Sequence, residues 1–329
     1  MGIFADTRGY VTETWLAWNR FWFAPKDPAT LSLIRLLAGS LLFYTHLVWS
    51  LDLQAFLGQD GWLPVDYLRT SVHVEPATGE AIWSVWSIFF WIEPVWLLWC
   101  VHLFGLLVFF CLMVGLFSRT AATLAFLFAV SYAHRVSPGA FFGLDKINCM
   151  LSMYLMLGPC GARYSLDSVR RLRRGDAEPV RPRVLANLSI RLIQVHLCII
   201  YLFSGLAKLE GENWRAGTAV WWAIANQEYQ SIDMTWIASW TTVGPILIAL
   251  ATHATVFWEL SYCFLIWNRF TRPLTLWMAM FVHGGIALFM GMITFGLAMI
   301  YANLAFLKPP TVRRWMDPIA SRVASLLGA

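Results

Sequence analysis

Pro273–Leu307 reads PLTLWMAMFVHGGIALFMGMITFGLAMIYANLAFL and holds no Asp, Glu, Lys or Arg. At about 1.5 Å per residue, one helix of that length would run roughly 50 Å, against about 30 Å of hydrocarbon in a bilayer. Gly284, Gly285, Gly291 and Gly296 supply bending points. The stretch therefore predicts two helices, Leu274–Met290 and Met292–Leu307, joined by a tight hairpin near Gly291.

Six further apolar runs lie upstream: Ala29–Leu51, Val95–Phe117, Arg119–Ala133, Asp145–Gly158, Ala186–Ala207 and Val243–Trp267. The expected fold is an all-α integral membrane protein with about eight transmembrane helices. Residues 1–329 read as a single domain, with an inner amphipathic segment at 1–28, the membrane part at 29–307 and an inner amphipathic tail at 308–329. Val11–Phe23 and Val312–Leu327 are the stretches expected to lie along the inner face.

Composition agrees. The 329 residues are 59% hydrophobic and only 13% charged, and mean hydropathy is +0.60. A cytosolic enzyme carries about a quarter charged residues. The 19 Trp and 23 Phe suit the membrane–water boundary. A net charge of +5 reads as topology rather than as nucleic-acid binding, because the basic residues cluster between apolar segments. With the N-terminus inside, 17 Lys and Arg fall on inner segments, five on outer ones (Arg69, Arg135, Lys146, Lys208, Arg215) and two inside spans. The positive-inside bias predicts both termini in the cytoplasm; the expected location, a bacterial inner membrane, goes with the family resemblance given below. Asn187-Leu-Ser matches a glycosylation sequon but lies at a cytoplasmic helix start. The first 27 residues lack the uninterrupted apolar core of a signal peptide.

Two outer segments are long, Leu53–Glu93 and Lys208–Thr242. The first contains Ala81–Trp91, and the second contains Trp214, Trp221, Trp222, Trp236 and Trp240. Both suit interfacial helices. The six Cys lack any CxxC pair and read as small buried hydrophobes. No local metal-ligand pattern occurs, so no metal is expected.

Ionisable groups within hydrocarbon need partners. Arg35, Arg191 and Glu259 all fall toward the inner ends of their spans, and one acid with two bases would make a structural ion-pair cluster. His102, His196, His253 and His283 sit within spans, where they either line one cavity or bond to neighbouring carbonyls. His283 is followed by Gly284 and Gly285, which leave space beside it. Lys208 ends the fifth apolar run, with Ser204 one helical turn earlier. Two readings of Lys208 stand open: it snorkels to the surface, or aromatic cover strips its water and makes a neutral amine base available.

Four stretches carry a resemblance. They are Asp27–Gly39 with Arg35; Leu144-Asp145-Lys146 followed by Tyr154-Leu155; Tyr201–Leu209, ending Ser-Gly-Leu-Ala-Lys208-Leu, then Trp214; and Glu259–Leu265 with Phe281-Val-His283. In order and spacing the chain resembles the vitamin K-dependent gamma-carboxylase-like membrane proteins, the HTTM (horizontally transferred transmembrane) family. The resemblance implies Lys208 and His283 as catalytic residues: Lys208 as the base that deprotonates reduced vitamin K or menaquinol, and His283 as a donor to a charged oxygen species. It implies oxygen and carbon dioxide as co-reactants and the outer face as the reaction side. Ser204, Trp214, Trp221, His196, His253 and Asp145 are the candidates for substrate or cofactor binding.

The chain departs from that pattern in two places. Where the carboxylase has a functional histidine, this chain offers Ala162 or Arg163. It also ends soon after the eighth apolar run, so a large extra-membrane domain for peptide substrates is not expected, and a partner would supply that binding. The expected partners are membrane lipids, a quinone and a secreted or membrane protein. Beside the enzyme reading stands a non-catalytic factor for maturation or export of a secreted peptide. Transport is disfavoured because no inverted repeat is visible.

Overall fold

The computed structural model describes residues 2–71, 86–136, 143–175 and 180–328. Fifteen helices follow in chain order: α1 Gly2–Phe23, α2 Ala29–Trp49, α3 Leu53–Leu57, α4 Val65–Ser71, α5 Val95–Val114, α6 Ser118–Val136, α7 Gly143–Leu157, α8 Leu166–Arg173, α9 Val184–Glu210, α10 Glu212–Arg215, α11 Ala219–Ile224, α12 Val243–Leu265, α13 Arg272–Phe289, α14 Ile293–Asn303 and α15 Pro309–Leu326. The ends of the eight expected spans fall within a few residues of α2, α5, α6, α7, α9, α12, α13 and α14. Four of the described helices are long and apolar enough to cross a membrane: Ala29–Leu57, Val95–Val114, Val184–Glu210 and Val243–Leu265. The chain divides into two compact units, Met1–Leu192 with Leu307–Ala329, and Ile193–Phe306.

Several helices are inside-out relative to those of a water-soluble protein. On α12, Ile246, Leu250, Phe257 and Phe264 point outward, while Thr252, Glu259 and Tyr262 are buried. On α13, Leu274, Trp277 and Phe281 point outward, while Thr275 and His283 are buried. Apolar residues facing out and polar residues facing in fit a hydrocarbon solvent. The chain is an integral membrane protein.

In the first unit, α2 and α5 come so close at Gly39 that an added Cβ would stand 2.7 Å from the Met113 backbone. One turn earlier on α2, Arg35 is fully buried. Its Nη1 donates to Leu112 O and Met113 O, both at 2.6 Å, and its Nη2 donates to Tyr164 O. The guanidinium thus satisfies carbonyls that the C-terminus of α5 leaves open. Gly115, at φ +71°, ends α5 in the left-handed conformation. A side chain there would strike Ser165, whose hydroxyl caps α8 in a reciprocal pair with Ser168.

Asp167 caps the start of α6. It accepts from Phe117 N at 3.0 Å, Ser118 N at 2.7 Å and the Ser118 hydroxyl at 2.6 Å. Near the other end of α6, Arg135 is also fully buried, donating to Leu57 O, Gly58 O and Leu63 O. That corrects its expected place in an outer segment: it is a clamp on the turn after α3. Arg163 and Asp27 form a bidentate pair at 2.8 and 2.9 Å, and the Tyr164 hydroxyl donates to Asp317 on α15 at 2.8 Å. Burial, and then that bond to Asp317, push the Tyr164 phenol above its ordinary pKa. Asn187 of the sequon is buried and donates to Phe21 O and Trp22 O at the end of α1.

Of Ala81–Trp91, residues 81–85 lie outside the described residues. In the rest, Phe89 is fully buried and the Ser87 hydroxyl donates to Ser131 O on α6 at 2.7 Å, while Trp86, Ile88 and Trp91 face outward. His102 joins Ser50 and Tyr132, each at 2.8 Å, and so sits as a satisfied core histidine. All six cysteines are free, but Cys100 faces outward on α5, against the expectation of burial.

In the second unit, α13 and α14 form the expected hairpin. Gly291 turns the chain at φ +67°. Gly296 lets α14 close on α13, since a Cβ there would meet His283 O at 2.5 Å. The turn is held by Ser231, whose backbone N–H donates to Phe289 O at 3.1 Å.

The Arg35 clamp yields a stability prediction. Arg35→Leu removes the donor from three carbonyls; Leu112 O keeps the Gly115 N–H at 3.2 Å, so the loss falls on Met113 O and Tyr164 O, at about 1–3 kcal/mol for each left unpaired. Arg35→Lys, with a single ammonium, recovers part of the loss. Unfolding of purified protein in detergent should rank wild type above Arg35→Lys, and Arg35→Lys above Arg35→Leu.

Candidate functional site

Tyr201, Ser204, Gly205 and Lys208 follow at i, i+3, i+4 and i+7 on α9 and share one face. Opposite them runs α12. Gly205 sets the distance between the two helices: a Cβ there would lie 2.9 Å from the Leu260 side chain and 3.2 Å from its backbone nitrogen. This close approach lets two short reaches across the gap form contacts above and below it.

Beyond Gly205, toward the end of α9, is Lys208. Its Nζ donates to Ser204 Oγ at 2.6 Å and lies 3.0 and 2.7 Å from the two oxygens of Glu259. The Trp214 ring stands 5.1 Å away and covers the ammonium. Side-chain exposure is 20% for Lys208 and 9% for Glu259. Lys208 is thus tethered on three sides rather than extended freely to the surface.

Before Gly205 lies a second polar group. The Tyr262 hydroxyl donates to Asn303 Oδ1 at 2.6 Å. Asn303 Nδ2 donates to Tyr201 Oη at 2.9 Å and to Met299 O at 2.9 Å. Tyr201 Oη is 2.7 Å from His283 Nε2. The rings pack around this chain, with Tyr201 to Tyr262 at 4.1 Å and Tyr201 to Trp258 at 4.9 Å between centroids. His283 is 4% exposed, and its Nδ1 has no partner among the described residues. Lys208 and Tyr201 are seven residues apart, so the two groups are separated by about 10 Å along α9.

The other expected site residues distribute differently. Trp221 is half-buried on α11, outside these contacts. His253 is exposed on α12 beside Gly217, where a Cβ would meet its Nε2 at 3.0 Å. His196 lies on α9 about 18 Å before Lys208 along the helix. Asp145 belongs to α7 of the first unit.

The expected Arg35–Arg191–Glu259 cluster does not form either. Arg35 serves backbone carbonyls, Arg191 Nε donates to Phe21 O at 3.2 Å with its guanidinium 4.0 Å from the Phe21 ring, and Glu259 pairs with Lys208. Glu259 lies 16 residues into α12, about 24 Å from its start, whereas Lys208 is two residues from the end of α9. The two meet because the first half of α12 extends past the end of α9, and the segment after α9 runs on along it. Val220 N donates to Thr252 Oγ1 at 3.2 Å, and Gly217 rests on Ala249.

A family model described as HTTM domain matches residues 65–310. The chain belongs to the HTTM domain family. The match covers every residue of both polar groups, but not Arg35 or the stretch Asp27–Gly39. No curated protein and no solved structure matches the chain. Within this HTTM chain, Tyr201, Tyr262, Trp258 and Asn303 went unread in the sequence. Their signal was present: Tyr201 is two turns before Lys208, and Asn303 is the only side-chain amide in Pro273–Leu307.

A double-mutant cycle tests the ion pair. Breaking a buried pair from one side costs about 3–5 kcal/mol, whereas replacing both partners by apolar residues is often neutral. The partial exposure of Lys208 puts Glu259→Leu near the lower end, at about 3 kcal/mol. Lys208→Met with Glu259→Leu should recover most of that loss in detergent unfolding.

Proposed function

We propose that this HTTM protein performs quinol-dependent chemistry of the carboxylase or epoxidase type on a lipid-soluble substrate, with Lys208 as its base. One observation carries the reading. A lysine amine is held by a hydroxyl, a carboxylate and an indole within an apolar helical unit, on the same helix face as Tyr201 and its partner His283.

The residues suit a quinol. Its ring would find aromatic neighbours in Tyr201, Trp258 and Trp214, and its oxygens would find Lys208 and His283, whose Nδ1 is buried and unpartnered among the described residues. When bound, the quinol supplies reducing equivalents, and oxygen is the co-reactant. The protein's part is proton handling and water exclusion. Glu259 is the carboxylate against which the Lys208 ammonium rests, so a proton leaving Lys208 has an acceptor within hydrogen-bond distance. Ser204 holds the amine toward one side, which restricts its rotamers. The outward apolar faces of α12 and α13 admit a lipid-soluble reactant from the bilayer side.

The same proposal places eight spans in a bacterial inner membrane, with both termini cytoplasmic and the chemistry toward the outer face. The 17 Lys and Arg on inner segments against five on outer ones carry it.

The deciding experiment incubates purified protein in lipid nanodiscs with reduced menaquinone, oxygen, bicarbonate and a glutamate peptide, and looks for quinone epoxide by mass spectrometry. Wild type should form epoxide, and Lys208→Ala should lose about 100-fold or more of the rate, as removal of a general base does. Absence of epoxide from a folded sample that still binds quinone would move the assignment to a non-catalytic factor for maturation or export of a secreted peptide.

A further inference from the structure

The hydrogen-bond chain around His283 has a direction, and carbonyl chemistry sets it. Met299 O can only accept, so the Asn303 atom facing it at 2.9 Å is the amide nitrogen. Asn303 Oδ1 therefore faces Tyr262, whose hydroxyl donates to it at 2.6 Å. The second Nδ2 hydrogen goes to Tyr201 Oη at 2.9 Å. With one lone pair of that oxygen occupied, the Tyr201 proton is free to point at His283 Nε2, 2.7 Å away. Nε2 is then the acceptor, and a neutral imidazole carries its proton on Nδ1.

That proton has no acceptor among the described residues, although His283 is 4% exposed. A buried donor without an acceptor is costly and rare, and it marks a place where a ligand would complete the bond. The two residues that follow His283 leave the helix surface open: a Cβ built on Gly284 meets nothing within 4 Å, and one on Gly285 meets only Phe289 at 3.8 Å.

We propose that Tyr262, Asn303 and Tyr201 are positioning residues that lock His283 as the Nδ1–H tautomer, so that it donates to a carbonyl oxygen of a neutral, apolar ligand. The ligand class follows from the surroundings. The ring lies among Tyr201, Trp258 and Phe295, with centroids at 5.9, 6.3 and 6.0 Å. An anion would lose its hydration there, and a ligand that is only a donor would find no acceptor on Nδ1. The ligand half of the inference rests on the proposed function; the tautomer half stands without it.

The test uses full-length protein in nanodiscs with 15N-labelled histidine, the His283 signals being assigned by their loss in His283→Gln. Wild type should show a protonated Nδ1 and an unprotonated Nε2. Tyr201→Phe removes one oxygen atom, and Asn303→Leu removes the link behind it; each should give a mixture of both tautomers while helix content by circular dichroism is unchanged. Asn303→Gln, which keeps the amide, should restore part of the Nδ1–H population. A proton on Nε2 in wild type, or an unaltered tautomer in Tyr201→Phe, overturns the positioning role. Next, 2,3-dimethyl-1,4-naphthoquinone should shift the Nδ1 resonance, and 2,3-dimethylnaphthalene, the same body without carbonyls, should not. Equal response to both, or to neither, overturns the carbonyl ligand and leaves the tautomer result intact. A locked tautomer with a naphthoquinone response but no Lys208-dependent epoxide would sink the proposed reaction alone.

Discussion

Hydrocarbon contains no water to complete a hydrogen bond, and each polar group of this chain is placed under that constraint. Outward faces of α12 and α13 are built of Leu, Ile, Phe and Trp, and Thr252, Glu259, Tyr262, Thr275, His283 and Asn303 turn inward. Once inward, they require partners at short range. The partners explain where helices cross, where they stop and which glycines the crossings need.

The two units meet the requirement differently. In the first, two fully buried arginines, Arg35 and Arg135, act as clamps on backbone carbonyls at the end of α5 and around the turn after α3. Five N–H donors in a rigid fork suit a cluster of open carbonyls, and the charge is dispersed over several dipoles. In the second unit, side chains satisfy one another across helices: an ammonium with a carboxylate, and a phenol–amide–phenol–imidazole chain. Mutual satisfaction of side chains makes a site adjustable by single residues, whereas backbone clamps make a scaffold. The candidate chemistry resides in the unit built from side-chain networks.

Small residues decide how close these partners come. Gly39 brings α2 onto α5 beside the Arg35 clamp, Gly205 brings α9 onto α12 between the two polar groups, and Gly296 brings α14 onto α13 behind His283. Helix packing in membranes draws on such close approaches because lipid tails are as apolar as the side chains they would displace. The segment after α9 also matters. It carries Trp214 over Lys208 and then runs along the first half of α12, which extends past the end of α9.

The all-helical character, the approximate ends of the long helices and the membrane environment were legible in the residues, because hydrophobic length and glycine or proline punctuation are local properties. The hairpin at Gly291 followed from an arithmetic conflict between an uncharged stretch and the thickness of a bilayer. Ser204 and Lys208 were legible as a pair, since helical spacing alone brings i and i+4 together. Partners on different helices were not. Glu259 was assigned to Arg35 and Arg191 from its distance to the helix ends, and the offset between α9 and α12 that brings Lys208 to it is not a local property. Arg135 read as a loop charge because nothing local announces a carbonyl cluster formed by α3 and its turn. Tyr201, Tyr262 and Asn303 each looked like an ordinary core residue, and only their convergence gives the chain a direction that ends on His283. Sequence by itself determined which solvent this protein needs and roughly where its helices run, because those depend on neighbours along the chain. Tertiary structure alone decided which charge meets which acid and which nitrogen of His283 is left bare, because those depend on helix crossings set by a few glycines far apart in sequence.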